Sequence, residues 1–499
     1  MKAELFPEDI RPYISPSPKG DLGYDCLACG ARFQPDRLYY ACPKCGGLLT
    51  LKDNQFNRLR EKPGSFWRRL FDYRRLCNSQ ATAGVFAFHE FVAPLIPLED
   101  IVYLGEAHTP VVAAPPALAK EVGAEFYVKL DGLNPSASFK DRGMAAALSY
   151  LKYLTRTKGY SQVMAVCAST GDTSAAAALY SAALGGPVKS VVLLPKGRVT
   201  PQQLSQPLGS GATVFELPGV FDDCMKVVEY LSDRYQVALL NSKNPWRILG
   251  QESYAYEIAQ QFDYELGDLA LIVPVGNAGN VTAILSGLLK FHAAGLIDRL
   301  PKIVAVQSER ANPVFLYFSQ ALANRRYVPV TVQPSVAQAA MIGDPVSFPR
   351  LVALVDQYEK TAGWSSFFAV EVTEEAIMEG MIKANRRGLP VCTQGGEGLA
   401  GLKAALAKGL ITPSDRAIID STAHALKFMD FQNAYFEGRL AQEYGVPTRS
   451  ELTNRPLELE VKGPKPDGQN PLSPSDRQKF VETTALEIAK QLGLKPTAD

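Results

Sequence analysis

The sequence predicts an α/β protein with two lobes of parallel sheet flanked by helices, preceded by a small cysteine-bearing ribbon. Three observations predict it. From about residue 101, short apolar, β-branched runs alternate with amphipathic helical stretches, the pattern of βαβ units whose strands are covered on both faces. Eight such strands over residues 101–430 suggest two sheets, hence two lobes with a cleft between them. Near the start, four cysteines lie in "CLACGARFQPDRLYYACPKCGG".

The ribbon, residues 1–50, comes first. Cys26, Cys29, Cys42 and Cys45 form C-x2-C-x12-C-x2-C, two knuckles able to place four thiolates tetrahedrally around one metal, zinc ahead of iron. A glycine after Cys29 and another after Cys45 let each knuckle turn toward its sulfurs. Two disulfides are the alternative, but nothing points to an oxidising compartment. Four thiolates leave no open coordination position, so such a site is structural. Cys167 and Cys392 lie in apolar stretches, where free cysteine behaves as a small hydrophobe.

Residues 51–100 read as a helical linker, including "SFWRRLFDYRRL". The strands then follow as "FYVKL", "VMAVCA", "SVVLLP", "ATVFEL", "VALLN", "LALIVPV", "KIVAVQ" and "AIID". Segments 101–140 and 236–430 are assigned to a large domain and 141–235 to a small one inserted between them. Residues 431–499 form a C-terminal extension: a Pro- and Gly-rich crossing at 455–474, then an amphipathic helix with Ser475 as its expected N-cap.

Composition excludes several classes. With 52 basic and 51 acidic side chains among 499 residues, no global charge draws the chain to nucleic acid or acidic membranes. No apolar run approaches the roughly 20 residues of a membrane span. The beginning, "MKAELFPEDI", lacks the features of a secretory or transit segment, so a cytoplasmic protein is expected.

Four stretches can carry chemistry. In "NPSASFKDRGM", Lys140 stands where a small-residue loop gives way to a helix, a place where its charge opposes the helix dipole. An anionic or electrophilic group waiting for an amine would explain it. In "VPVGNAGNVTAIL", a buried strand ends in Gly276, Asn277, Ala278, Gly279 and Asn280 before a helix, an arrangement that bares N–H groups for a phosphate. Its spacing is neither the dinucleotide fingerprint nor a P-loop, and an ordinary β–α turn is the bland alternative. "ASTGDTSAA" repeats the layout with Ser169, Thr170, Asp172 and Thr173; these could grip a small anion, or merely cap the helix. In "NSKNPWR", Arg247 near Asn241 and Ser242 suits a phosphate oxyanion. A cofactor with both an aldehyde and a phosphate would use the first three stretches together, and pyridoxal phosphate is that cofactor.

These stretches resemble the fold-type II family of pyridoxal-phosphate enzymes, and within it the threonine synthases. "SFKDRG" is similar to the family's Schiff-base lysine motif, "ASTGDTSAA" to its substrate-carboxylate loop and "GNAGN" to its cofactor-phosphate loop; "NSKNPWR" and "DSTAHALKF" also match. The likeness covers roughly residues 100–430 in consistent order. It implies conversion of O-phospho-L-homoserine and water to L-threonine and phosphate, in a homodimeric lyase of amino-acid biosynthesis. It implies Lys140 as the Schiff-base lysine and proton-moving base, Gly276 to Asn280 on the cofactor phosphate, and Thr422 on the pyridine nitrogen. Ser169, Thr170 and Thr173 would hold the substrate carboxylate, and Asn241, Ser242 and Arg247 the substrate phosphate. Asp172, near the ring hydroxyl, stands where many members carry asparagine. The nearest alternatives are a threonine or serine dehydratase, or a related sulfonate-forming synthase. A different class of reading is a zinc-ribbon adaptor on a catalytically silent scaffold.

Overall fold

The computed structural model describes residues 5–496 except 78, 169–170, 197–200, 220 and 233. Its thirteen named strands are β1 (Leu22–Cys26), β2 (Arg32–Phe33), β3 (Leu49–Asp53), β4 (Val111–Ala113), β5 (Phe126–Leu130), β6 (Val163–Ala168), β7 (Val188–Pro195), β8 (Thr213–Leu217), β9 (Val237–Leu239), β10 (Leu269–Pro274), β11 (Lys302–Ser308), β12 (Phe367–Val372) and β13 (Arg416–Ser421). They form three sheets.

The ribbon is a small antiparallel sheet ordered β2-β1-β3. Its last strand reaches Asp53, and the helix that follows is Gly64–Arg75. The ribbon's apolar side is not a separate core: Leu22, Tyr24 and Leu49 belong to the same buried cluster as Tyr150, Trp246 and Leu249.

The largest sheet runs β12-β11-β10-β13-β5-β4. All neighbours are parallel except β4, which pairs antiparallel at the edge. β10 is buried at every position, as expected of an apolar strand sandwiched between helices. The second sheet, β8-β7-β6-β9, is parallel throughout and comes entirely from residues between β5 and β10. Each of the eight runs read as strands contributes one. β4 and β12 were not among them: β4 is only three residues long, and β12, "FFAVEV", mixes buried with half-buried positions.

The contacts divide the chain into Met1–Thr448 and Arg449–Asp499. The second unit holds a helical turn, Ser450–Leu452, and the helix Pro474–Gln491, none of whose residues is buried. Ser473, not Ser475, caps that helix: its hydroxyl accepts from the Asp476 N–H, and Pro474 takes the first helical position, where a missing N–H costs nothing. Among the described residues no helix is long and apolar enough to cross a membrane.

Candidate active site

Lys140 opens the helix Lys140–Lys158, whose buried face includes Met144, Leu148 and Leu151. The loop before it is zipped to the loop after β13. Phe139 N–H donates to the Thr422 carbonyl at 2.9 Å, and His424 N–H donates to the Ala137 carbonyl at 3.1 Å. The two backbones approach so closely that a Cβ on Gly132 would lie 2.4 Å from the His424 nitrogen. His424 itself caps the following turn, its Nδ1 accepting from the Leu426 N–H.

The next residues of the motif are anchors. Arg142 is buried and bonds Asp131 through Nε and Nη2 at 2.8 Å, and Glu257 through Nη1 and Nη2 at 2.5 and 2.8 Å. Lys129 joins Glu257 at 2.7 Å. Removing one member would strand buried charge, so the start of the Lys140 helix is rigidly held.

Gly276 to Asn280 connect β10 to the helix Gly279–Ala293. Ala278 adopts a left-handed φ of 58°, and the first N–H groups of an α-helix have no intrahelical acceptor. Asn280 is fixed from behind: its Nδ2 donates at 2.6 Å to Asp420, a carboxyl that burial pushes well up. At Gly276 a Cβ would meet Ala340 Cα at 2.9 Å. Gly276→Ala is therefore expected to weaken cofactor binding about 5- to 150-fold, the equivalent of about 1–3 kcal/mol for an overpacked site; titration of the cofactor-free protein measures it.

These parts open on one cavity, lined among others by Lys140, Asp172, Ser242, Arg247, Gly276 to Asn280 and Thr422. Burial and the neighbouring Arg247 pull the Lys140 amine down to about 7, against the opposing pull of Asp172. Arg247 is buried; one Nη donates to the Leu240 carbonyl at 3.0 Å, while its Nε has no partner. Among the described residues no carboxylate pairs with it, and burial lowers its pKa to about 10, which still leaves it cationic at neutral pH. Asp172 is paired with Lys427 at 2.8 Å. The Thr422 hydroxyl lies 3.8 Å from the Cys392 sulfur.

An amine near neutrality, bare helix-start N–H groups and a buried cation fit a group carrying both an aldehyde and a phosphate. Asn241 precedes the lining residue Ser242 and Thr173 follows Asp172, but neither lines the cavity. Ser169 and Thr170 lie outside the described residues. Gln394 and the ion pair made by Lys427 went unread in the sequence. Gln251 and Gln394 line the cavity, and both amide atoms of the buried Gln394 lack partners. Lys427 supplies the countercharge of Asp172.

In the ribbon, the Cys26 and Cys45 sulfurs are 3.5 Å apart and those of Cys29 and Cys42 3.7 Å. All four lie within 4.8 Å of one another. Disulfide sulfurs would be about 2.05 Å apart, whereas thiolates on a tetrahedral zinc at about 2.3 Å are separated by about 3.8 Å. Gly30 and Gly46 hold φ of 68° and 73°, and their N–H groups donate to the Cys26 and Cys42 carbonyls, closing each knuckle.

Comparison with known proteins agrees with this geometry. Residues 102–419 match the family model of the pyridoxal-phosphate dependent enzymes. The threonine synthase of Methanocaldococcus jannaschii is 35% identical over 414 residues, 81% of this chain and 93% of that protein. Threonine synthase 2, chloroplastic, of Arabidopsis thaliana is 33% identical over 84% of this chain and 78% of its own. The crystal structure of threonine synthase from Escherichia coli shares the fold with a TM-score of 0.60 at 20% identity, covering 93% of this chain and 95% of that one. The chain therefore belongs to the pyridoxal-phosphate dependent enzymes and, within them, to the threonine synthase family.

Proposed function

We propose that the chain is a lyase that converts O-phospho-L-homoserine and water to L-threonine and phosphate. The observation that carries this substrate is Arg247, a buried guanidinium in the same cavity as Lys140, with an unpartnered Nε and no carboxylate paired to it among the described residues. Such a cation is stabilised by a phosphate.

Lys140 would offer its amine to the cofactor aldehyde, Gly276, Asn277, Ala278, Gly279 and Asn280 would hold the cofactor phosphate, and Thr422 would bond the ring nitrogen. When bound, the cofactor supplies an electron sink that makes the substrate α-proton removable. Lys140, pulled down to about 7, is neutral often enough at working pH to take protons from Cα and Cβ. Ser242 and Arg247, with Asn241, would bind the phosphate that leaves from Cγ, and Arg247 also disperses the charge that develops there. Ser169, Thr170 and Thr173 are assigned to the substrate carboxylate from the resemblance. Asp172 would sit near the ring hydroxyl, and its pairing with Lys427 keeps that edge from bearing an uncompensated negative charge.

Release of phosphate with a matching amount of threonine is the deciding measurement. Turnover of L-threonine or L-serine to a keto acid, with none of O-phosphohomoserine, would instead establish the dehydratase reading, for which Arg247 has no purpose. Membership of an enzyme family removes the silent-adaptor reading.

We also propose that Cys26, Cys29, Cys42 and Cys45 hold one structural zinc, on the sulfur spacing above. Elemental analysis is expected to find one zinc per chain and Cys45→Ser to lose it; a full complement of metal in that variant would refute the assignment. The homodimer is proposed from the resemblance alone, and light scattering reads it directly.

A further inference from the structure

The ribbon does not merely cover the core: two buried side chains tie it to the loop-and-helix segment that carries Ser242 and Arg247. In β1, Tyr24 accepts a hydrogen bond from Trp246 Nε1 at 2.8 Å, and its hydroxyl lies 3.3 Å from that of Tyr150. Tyr150 in turn donates to the Arg37 carbonyl of the ribbon at 3.0 Å, and its ring stacks on Trp246 with centroids 3.8 Å apart. Trp246 is the residue before Arg247, in the short helix Pro245–Gln251 capped by Asn244.

The second tie is Arg350, buried and, among the described residues, without a carboxylate partner. Its Nη2 donates to the Leu49 carbonyl of β3 at 2.5 Å and to the Lys243 carbonyl at 3.0 Å, and its Nη1 to the Ser242 carbonyl at 3.3 Å. One guanidinium thus clamps the ribbon's last strand to the backbone of the 242–243 loop.

We propose that the ribbon is a positioning element for the substrate-phosphate subsite, with Tyr24 and Arg350 as the positioning residues that place Arg247 and Ser242. The proposal rests on the reading that Arg247 and Ser242 bind the substrate phosphate. Neither Tyr24 nor Arg350 lines the cavity, so both act through other residues, and loss of either releases the subsite while Lys140 stays anchored by Arg142.

The test uses full-length holoenzyme, with KM and kcat for O-phospho-L-homoserine, affinity for inorganic phosphate, and affinity for the cofactor as four separate readouts. Tyr24→Phe removes one hydrogen-bonding atom and is expected to raise KM and weaken phosphate binding about 3- to 10-fold, with kcat within about twofold and cofactor affinity unchanged. Arg350→Met is expected to do the same more strongly; if it fails to fold, Tyr24→Phe decides alone. Chelation of the ribbon metal is expected to weaken phosphate binding while the cofactor absorption persists. Unchanged KM and phosphate affinity in Tyr24→Phe, or equal losses of phosphate and cofactor affinity, would overturn the proposal. Arg247→Ala separates the two ideas. If it weakens phosphate binding and Tyr24→Phe does not, the positioning role is wrong and the substrate reading stands. If Arg247→Ala leaves phosphate binding intact, the substrate reading itself falls.

Discussion

Replacing Lys140 by alanine is expected to lower kcat by about a thousandfold, within the 10²–10⁴ that a positioned general base contributes, and to abolish the absorption band of the lysine-linked cofactor. Among the described residues neither nearby carboxylate is placed to take over: Asp141, though next in sequence, is buried with one oxygen accepting from the Ser136 N–H at 2.6 Å and does not line the cavity, and Asp172 is paired with Lys427. The Gly276 to Asn280 loop is untouched, so the cofactor is still expected to bind non-covalently. The pH dependence follows from the same residue. Burial and Arg247 lower the amine to about 7, and only the unprotonated amine accepts a proton. Activity should therefore fall as pH drops below about 7 and level off above it. A profile whose acid limb lay two or more units from 7, or a Lys140→Ala variant with near-normal turnover, would remove Lys140 from its role.

Arg247→Ala is expected to raise KM for O-phosphohomoserine about a hundredfold while leaving the cofactor band in place. Truncating one member of a buried, charge-assisted contact typically costs about 2–5 kcal/mol, and one factor of ten is about 1.4 kcal/mol. The effect should concentrate in substrate affinity because the Gly276 to Asn280 loop, not Arg247, is assigned to the cofactor phosphate. The variant should also raise the Lys140 pKa, since Arg247 is the largest charge holding that amine down. The acid limb then moves to higher pH, a second and independent readout on the same protein. Normal KM together with an unmoved limb would show that Arg247 faces neither the substrate nor the lysine.

The site was legible where function is written in short β-strand–loop–helix stretches. The Lys140 motif, the glycine loop and Arg247 each sit directly after or before a strongly patterned element, so local rules sufficed to find them, and the structure brings them to one cavity. The contributors that escaped are set by packing between distant segments. Gln394 lies in "TQGGEGLAGL", where local rules read the glycines as helix breakers; yet residues Thr393–Ala407 form one helix. Those glycines answer to contact: a Cβ on Gly396 would lie 2.3 Å from the Ile377 carbonyl oxygen, and one on Gly401 would lie 2.3 Å from Val306. Lys427 lies in the singled-out stretch "DSTAHALKF", but its pairing escaped because its partner Asp172 is about 250 residues away in sequence. Arg350 carried no motif at all, since its partners are backbone carbonyls. The fold followed the same division, with the eight apolar runs recovered as strands and the short or half-polar β4 and β12 not.

The order of strands in the large sheet has a consequence for how the protein is made. β5 lies between β4 and β13, and its Phe126 aligns with Ala417, about 290 residues later. At about 5–20 residues per second of synthesis, β5 emerges from the ribosome roughly 15–60 s before the strand that completes it. During that interval it has only β4 as a neighbour, and its open edge is an apolar one, the kind that pairs with the wrong chain. Lys129, the fourth of the five β5 residues and held by Glu257 in the finished protein, has no such partner until the chain has grown a further 128 residues. The lysine that later joins the network behind the catalytic helix start is thus expected to discourage wrong pairing while that edge is open.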